Sequence, residues 1–223
     1  MSLNSHQAYA IKPTLYYEES RPEMVKYIPS GARTILDIGC GAGGFACTLK
    51  KTHADLELWG IEMMPEAAAI ADNRLTKVLI GTFDQNLDSL PKNYFDAIIF
   101  NDVLEHLEDP NAALKATLSL LTSKGVIVAS IPNIRFIDTV WGLLWNGEWE
   151  YMDWGILDRT HLRFFTKSSI LKMFMDCGFS INCIEGINPK RLGTVIGLAN
   201  KLLLNRFSEM RFQQFAIVAK KQC

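Results

Sequence analysis

The stretch Asp37-Ile38-Gly39-Cys40-Gly41-Ala42-Gly43-Gly44 sets a carboxylate just ahead of a glycine run, at the end of the apolar pair Ile35-Leu36. Glycines at this spacing let backbone approach a ligand where a side chain would block it. Gly39, Gly41 and Gly44 also satisfy the G-x-G-x-x-G spacing of a dinucleotide site. Asp37 separates the two readings. A dinucleotide brings a pyrophosphate to the start of the following helix, and a carboxylate there repels it. S-adenosylmethionine carries no phosphate and is positive at its amino and sulfonium groups, so an acid at the turn suits it. Glu62 closes the next apolar run, where a carboxylate can accept hydrogen bonds from both ribose hydroxyls of either ligand. Met63 follows, placed to lie on an adenine face or to fill the core.

An oxygen nucleophile attacking a methyl sulfonium is helped by a base of near-neutral pKa, and histidine is the natural one. Of four histidines, His6 lies in the N-terminal tail and His53 in a polar loop, which leaves His106 and His161 as catalytic candidates. His106 follows Glu105, with Asp102 one helical turn earlier; in a helix the three share a face. Such a group can brace a loop, act as a general base or hold a divalent metal, and no metal is assigned. His161 stands between Arg159 and Arg163, whose like charge lowers its proton affinity and favours the neutral ring. The two arginines suit an anionic acceptor such as a phosphate-linked sugar. The alternative is a packed loop held by Phe164 and Phe165, with the arginines in solvent.

The elements that must position these residues alternate between strand and helix, the pattern of a parallel sheet covered on both faces. Strands are predicted at Thr34–Ile38, Leu56–Ile61, Lys77–Ile80, Phe95–Phe100, Val126–Ile131, Phe179–Ile184 and Phe212–Ala219. Helices are predicted around Phe45–Lys50, from Pro65 to Asn73, over Asn111–Leu121 and over Lys167–Cys177. The 223 residues suit a single domain, 1–223. Two segments break the alternation. One, about 133–160, carries Trp141, Trp145, Trp149 and Trp154, the first three at the four-residue spacing of one helix face. The other, about 187–206, is predicted as an extra helix. Both follow strand ends, where ligands of open α/β sheets bind, so each either covers an acceptor or pads the core or a homodimer contact. A formal charge of −1 without long charge runs argues against nucleic acid. Five scattered cysteines without a C-x-x-C pair point to a reducing, cytoplasmic setting. No apolar run is long enough for a membrane span.

Asp37-x-Gly39-x-Gly41-x-Gly43, Glu62 and Asn101-Asp102-Val103-Leu104-Glu105-His106-Leu107 together resemble the class I S-adenosylmethionine-dependent methyltransferases. The resemblance runs over about residues 30–220. Gly155-Ile156-Leu157-Asp158-Arg159-Thr160-His161-Leu162-Arg163-Phe164-Phe165-Thr166 is similar to a bacterial subgroup associated with glycan biosynthesis and related to the ubiquinone-biosynthesis O-methyltransferases. The resemblance implies a Rossmann-like α/β fold with a seven-stranded, mostly parallel sheet whose last strand is antiparallel. It implies that Asp37 to Gly43, Cys40 included, cradle the methionine portion of S-adenosylmethionine. Glu62 would hold the ribose, and the backbone around Asn101 would face the amino group. The family's adenine-binding acid directly after the third strand's glycine is missing, because Gly81 is followed by Thr82; a two-residue shift would give that role to Asp84. Where relatives use a glutamate in a metal set, this chain has Asp102. The expected activity is methyl transfer to a small-molecule hydroxyl, of a sugar or glycan precursor. The alternatives are a nicotinamide-dependent oxidoreductase and a non-catalytic S-adenosylmethionine-binding module.

Overall fold

The computed structural model describes residues 17–53, 55–191, 200 and 204–222. Seven strands among them join in one sheet: β1 (Thr34–Ile38), β2 (Glu57–Glu62), β3 (Lys77–Ile80), β4 (Phe95–Asn101), β5 (Leu121–Pro132), β6 (Phe179–Pro189) and β7 (Phe212–Lys221). Their order is β3-β2-β1-β4-β5-β7-β6. The last strand in sequence, β7, runs antiparallel between β5 and β6, and every other pairing is parallel. The expected fold is borne out. β1 and β4 sit at the centre with helices above and below, which is why both read as near-continuous apolar runs.

Six helices flank the sheet among the described residues: α1 (Gly44–Lys50), α2 (Pro65–Ala71), α3 (Phe83–Asn86), α4 (Pro110–Leu120), α5 (Ile137–Trp141) and α6 (Lys167–Asp176). Local chemistry starts them. Proline occupies the first turn of α2 and α4, and the Asp109 carboxylate caps α4 by accepting from the Ala112 N–H at 2.9 Å. Thr166 and Ser169 form a reciprocal capping box at α6. One apolar layer gathers Phe45, Leu49 and Ala71 with Met24 from a short helical turn, Pro22–Tyr27; the other gathers Phe83, Leu114, Ile170 and Phe174.

Three expectations need correction. The fifth strand, expected to start at Val126, begins at Leu121, directly after α4 ends at Leu120. Leu121 pairs with Phe95, and the register then jumps to Val126 opposite Ala97. Gly125 serves close packing there, since a Cβ would lie 2.8 Å from the Phe95 carbonyl. Residues Ile187–Pro189, expected in an extra helix, continue β6 as partners of β7. Most of the rest of that segment lies outside the described residues. The tryptophan segment forms no single three-turn face: α5 passes into a π-helical turn, Gly142–Asn146, which stops at Gly147 (φ 68°) before Trp149.

The chain leaves β1 toward β3 and returns to β4, so the strand order reverses between β1 and β4 and opens a crevice at their carboxyl ends. Asp96 fixes this junction from the opposite end. Its carboxylate accepts from the Arg33 and Thr34 N–H groups at 2.9 and 3.2 Å and from the hydroxyls of Thr34 and Thr122 at 3.2 and 3.3 Å. Burial pushes its pKa up, but these donors outweigh it and hold the carboxyl below the usual range. Asp96→Ala is therefore expected to lower the unfolding free energy at pH 7 by about 1–3 kcal/mol. Because the folded pKa is depressed, the difference is present above the unfolded pKa and fades as pH falls through the folded one. Equal urea midpoints for the two proteins at pH 7 would refute this.

Candidate active site

The glycine turn hangs from the end of β2. The Gly39 and Cys40 N–H groups donate to the Ile61 carbonyl at 2.8 and 3.2 Å. The Gly41 N–H donates to Glu62 Oε2 at 2.9 Å, and Glu62 Oε1 accepts from the Met64 N–H at 2.8 Å. Gly39 and Gly41 have left-handed backbones (φ 71° and 54°), and each faces a neighbour that excludes a side chain. A Cβ on Gly39 would lie 2.7 Å from Val103 Cγ2, and one on Gly41 would lie 2.5 Å from the Tyr17 carbonyl. Gly43 (φ 81°) caps α1. The Cys40 thiol turns inward, filling the space that Gly60 leaves, and burial raises its pKa. Cys40 thus presents only backbone to the crevice.

Asp37 is buried at the end of β1. Burial, and then the charge of Glu62, raise its carboxyl to about 7. Glu62 is likewise raised by burial, against the pull of its backbone donors. Tyr17, from the segment crossing the turn, is pushed to about 12 by burial and by the charges of Glu62 and Glu66. Across the switch point Asn101 ends β4, and both its Oδ1 and Nδ2 are buried without a hydrogen-bond partner among the described residues. Met63 is half-buried beside Glu62, whereas Asp84 is exposed on α3, behind the cap formed by Thr82 and Gln85.

The shared helix face for Asp102, Glu105 and His106 does not form. Asp102 sits in a left-handed backbone (φ 52°) and only Leu104–His106 makes a short 3-10 turn. Asp102 Oδ1 accepts from Gln214 Nε2 at 2.8 Å and from the Ser130 hydroxyl at 3.1 Å, while Oδ2 pairs with Arg21. Sequence reasoning missed Arg21 as a neighbour of the candidate site; its one signal is a lone cation in the acidic run Glu18–Glu23.

His161 takes the place left by Asp102. Its Nε2 lies 3.9 Å from Glu105 Oε1, and its ring meets the His106 ring edge-on with centroids 4.6 Å apart. His161 Nδ1 is 2.9 Å from the Ile156 carbonyl and His106 Nδ1 is 3.1 Å from the Thr160 carbonyl. Carbonyls only accept, so in each neutral ring Nδ1 carries the proton and Nε2 the lone pair. Glu105 is fully buried and burial raises its carboxyl to about 8; neither oxygen has a hydrogen-bond partner among the described residues. The ligating atoms of Glu105, His106 and His161 lie within 4.8 Å of one another, a geometry that could hold a cation.

The stretch 155–166 explains how this cluster is built. Asp158 Oδ1 accepts from the N–H and hydroxyl of Thr160 at 2.9 and 2.7 Å, and the Glu105 carbonyl accepts from the Leu162 and Arg163 N–H groups at 2.9 and 3.0 Å. The arginines flanking His161 are engaged elsewhere. Arg159 pairs with Asp153 at 2.8 Å, and Arg163 donates to the carbonyls of Leu162 and Glu108 at 2.9 and 2.7 Å. They do not converge as an anion clamp.

Beyond the crevice, Trp141 and Trp145 stack with centroids 5.0 Å apart and both stay more than half exposed. Trp149 packs edge-on against Phe164, and Trp154 is exposed. No residue of α5 or the following π-turn is buried, so this segment is not a core helix.

Residues 9–184 match a family model described as a methyltransferase domain. Among curated relatives, the ubiquinone biosynthesis O-methyltransferase of Xanthomonas axonopodis pv. citri is 30% identical over 131 residues, 56% of this chain and 52% of that protein. The enzyme of the same name from Psychrobacter arcticus is 28% identical over 182 residues, 78% of this chain and 69% of that protein. A SAM-dependent methyltransferase from Archaeoglobus fulgidus superposes with a TM-score of 0.66 at 22% identity, covering 93% of this chain and 98% of that one. Fold and crevice define a Rossmann-like nucleoside-binding domain of the methyltransferase kind. The chain belongs to the methyltransferase domain family. The resemblance to class I enzymes, whose methyl donor is S-adenosylmethionine, is borne out, although the chain spans only about half of the Xanthomonas relative. Among the described residues, no helix is long and apolar enough to cross a membrane.

A carboxyl raised to about 7 in the fold, against about 4 when unfolded, favours the folded state fully below the unfolded pKa. That advantage is lost as pH rises through 7. Asp37→Asn is accordingly expected to melt close to the parent at pH 5 and several degrees above it at pH 8.5, without ligand. Melting curves that keep the same separation at both pH values would show that Asp37 is not a buried, raised acid.

Proposed function

We propose that the crevice at the carboxyl ends of β1, β2 and β4 binds S-adenosylmethionine and that the adjacent histidines serve methyl transfer to a hydroxyl of a small acceptor, a sugar or glycan precursor. The observation that carries this reading is Asn101, whose buried amide has both ends unmet among the described residues at the switch point. A buried amide without partners is costly, and a ligand with donor and acceptor groups removes the cost. The amino group and carboxylate of a methionine portion are such groups. Asp37 supplies the negative charge for the cationic end, and Arg21, beside Asn101 through its pair with Asp102, is the cation suited to the carboxylate. The backbone of Gly39, Cys40, Gly41 and Gly43 lets the ligand approach. Glu62, already fixed by two N–H donors, has lone pairs left for ribose hydroxyls. Met63 and Asp84 flank the adenine end.

The donor supplies an activated methyl carbon on sulfur. The chain's task is alignment and proton removal. As the oxygen–carbon bond forms and the carbon–sulfur bond breaks, the hydroxyl proton passes to Nε2 of His161 or His106, each ring steadied through Nδ1 by a backbone carbonyl. The oxygen acceptor is supported by the names of the relatives, and the sugar or glycan precursor by the 155–166 motif. The compact Glu105–His106–His161 cluster favours a second reading in which these residues hold a divalent cation that orients the acceptor oxygen.

Asp37→Ala and Glu62→Gln are each expected to weaken S-adenosylmethionine binding roughly ten- to a hundredfold, the loss of a hydrogen bond to a charged group. Parent affinity should also fall about tenfold per pH unit below 7, because a protonated Asp37 must ionise first. Unchanged calorimetric affinity in both variants ends the assignment. His161→Ala or His106→Ala is expected to lower kcat while leaving cofactor affinity within about twofold. Full turnover by both variants on an identified acceptor rules out a histidine base, and activity that survives chelators rules out the cation. The segment 134–154 is expected to gain hydrogen-exchange protection when cofactor and acceptor are both present, as a cover over the crevice. Identical protection in every state removes the cover.

A further inference from the structure

A cavity lies on the same edge of the sheet, past β5. It has a volume of about 290 Å³, and its walls include Lys167, Arg206, Ser208 and Glu209 over the aromatic floor of Phe212 and Phe215. Gly186, near the end of β6, and Phe212, at the start of the antiparallel β7, place it at the carboxyl ends of the parallel strands, where α/β sheets take their ligands. Gly186 is needed there, since a Cβ would lie 2.2 Å from the Phe212 ring.

The charges around the cavity do not cancel. Glu209 pairs with Arg135, and nearby Asp138 pairs with Lys190 at 2.6 Å. Lys167 and Arg206 have no ion-pair partner among the described residues, and both line the cavity beside the Ser208 hydroxyl. The cavity is also joined to the active-site loop. Asn133, fully buried at the end of β5, donates through Nδ2 to the carbonyls of Glu209 and Phe212 at 3.0 and 2.9 Å. The Ile134 N–H donates to the Phe165 carbonyl at 2.9 Å. Lys167 follows His161 by six residues, which bounds their separation to at most about 22 Å.

We propose that this cavity binds a phosphoryl group of the acceptor, anchoring it through Lys167 and Arg206 while its hydroxyl reaches the histidines. Phosphate recognition by paired cations needs this arrangement, and Arg159 and Arg163, the cations that the sequence suggested for it, are engaged in the loop. The inference deepens the methyltransferase reading and rests on it. Phosphoryl groups of this kind come from soluble nucleotide sugars or from phosphate-linked lipids.

Charge reversal at the two positions tests it, since an acid at Lys167, in the first turn of α6, also suits that helix end. Protein saturated with S-adenosylhomocysteine would be titrated with UDP-glucose and with farnesyl phosphate in detergent, for the parent, for K167E with R206E, and for the milder K167Q with R206Q. The expected result is binding of at least one probe by the parent, about tenfold weaker in the neutral pair and undetectable in the reversed pair, with S-adenosylhomocysteine affinity equal in all three. Which probe binds identifies the source of the phosphoryl group. Parent binding that neither pair of substitutions weakens, or no parent binding of either probe at 10-millimolar order, overturns the phosphoryl site while cofactor binding stands. Loss of S-adenosylhomocysteine binding by the parent would instead defeat the reading beneath it.

Discussion

A carboxylate buried at the end of one strand and tied to the backbone of another loop is the interaction from which the crevice follows. Glu62 receives the N–H groups of Gly41 and Met64, so the glycine turn after β1 and the entry to α2 share one anchor. The arrangement carries a cost, because burial raises the proton affinity of both acids and the charge of Glu62 raises that of Asp37 further. A cationic ligand would relieve that repulsion. Two acids at one crevice therefore suit a ligand of positive charge.

The second half of the site depends on backbone geometry more than on side-chain pairing. Both histidines are oriented through Nδ1 by main-chain carbonyls, and those carbonyls belong to a loop shaped by Asp158, Thr160 and the backbone of Glu105. A loop held in this way keeps two imidazoles and a carboxylate together without a helix to carry them. It also explains why the arginines of the motif are spent on the loop, leaving the cations on the far side of β5 to meet an anion.

The segment after β5 is firmly attached at its base and bare at its tip. Arg135 pairs with Glu209 and Asp138 with Lys190, while Leu144 and Trp145 remain about three-quarters exposed. Exposed apolar surface on that scale is costly in water. The base of the segment is attached beside the cavity past β5, since Glu209, the partner of Arg135, lines that cavity.

The seven strands, the helices α1, α2, α4 and α6, the sheet's hand-over at Asp37 and the donor class were legible in the chain because they depend on local features: apolar runs, proline and capping residues, and an acid before glycines. The ends of β5 and β6 were not. Leu121 and Ile187 join strands because partners distant in sequence, Phe95 and Gln214, lie alongside them. The grouping of Asp102 with Glu105 and His106 assumed a helix, but the left-handed backbone at Asp102 and its pull toward Arg21, Ser130 and Gln214 sent that carboxylate elsewhere. His161 joined the cluster across more than fifty residues of sequence, as Arg21 joined Asp102 across eighty. Such pairings carry no sequence period. They exist only where the packed sheet brings separate loops to one edge, so the tertiary structure alone decided which side chains share the site.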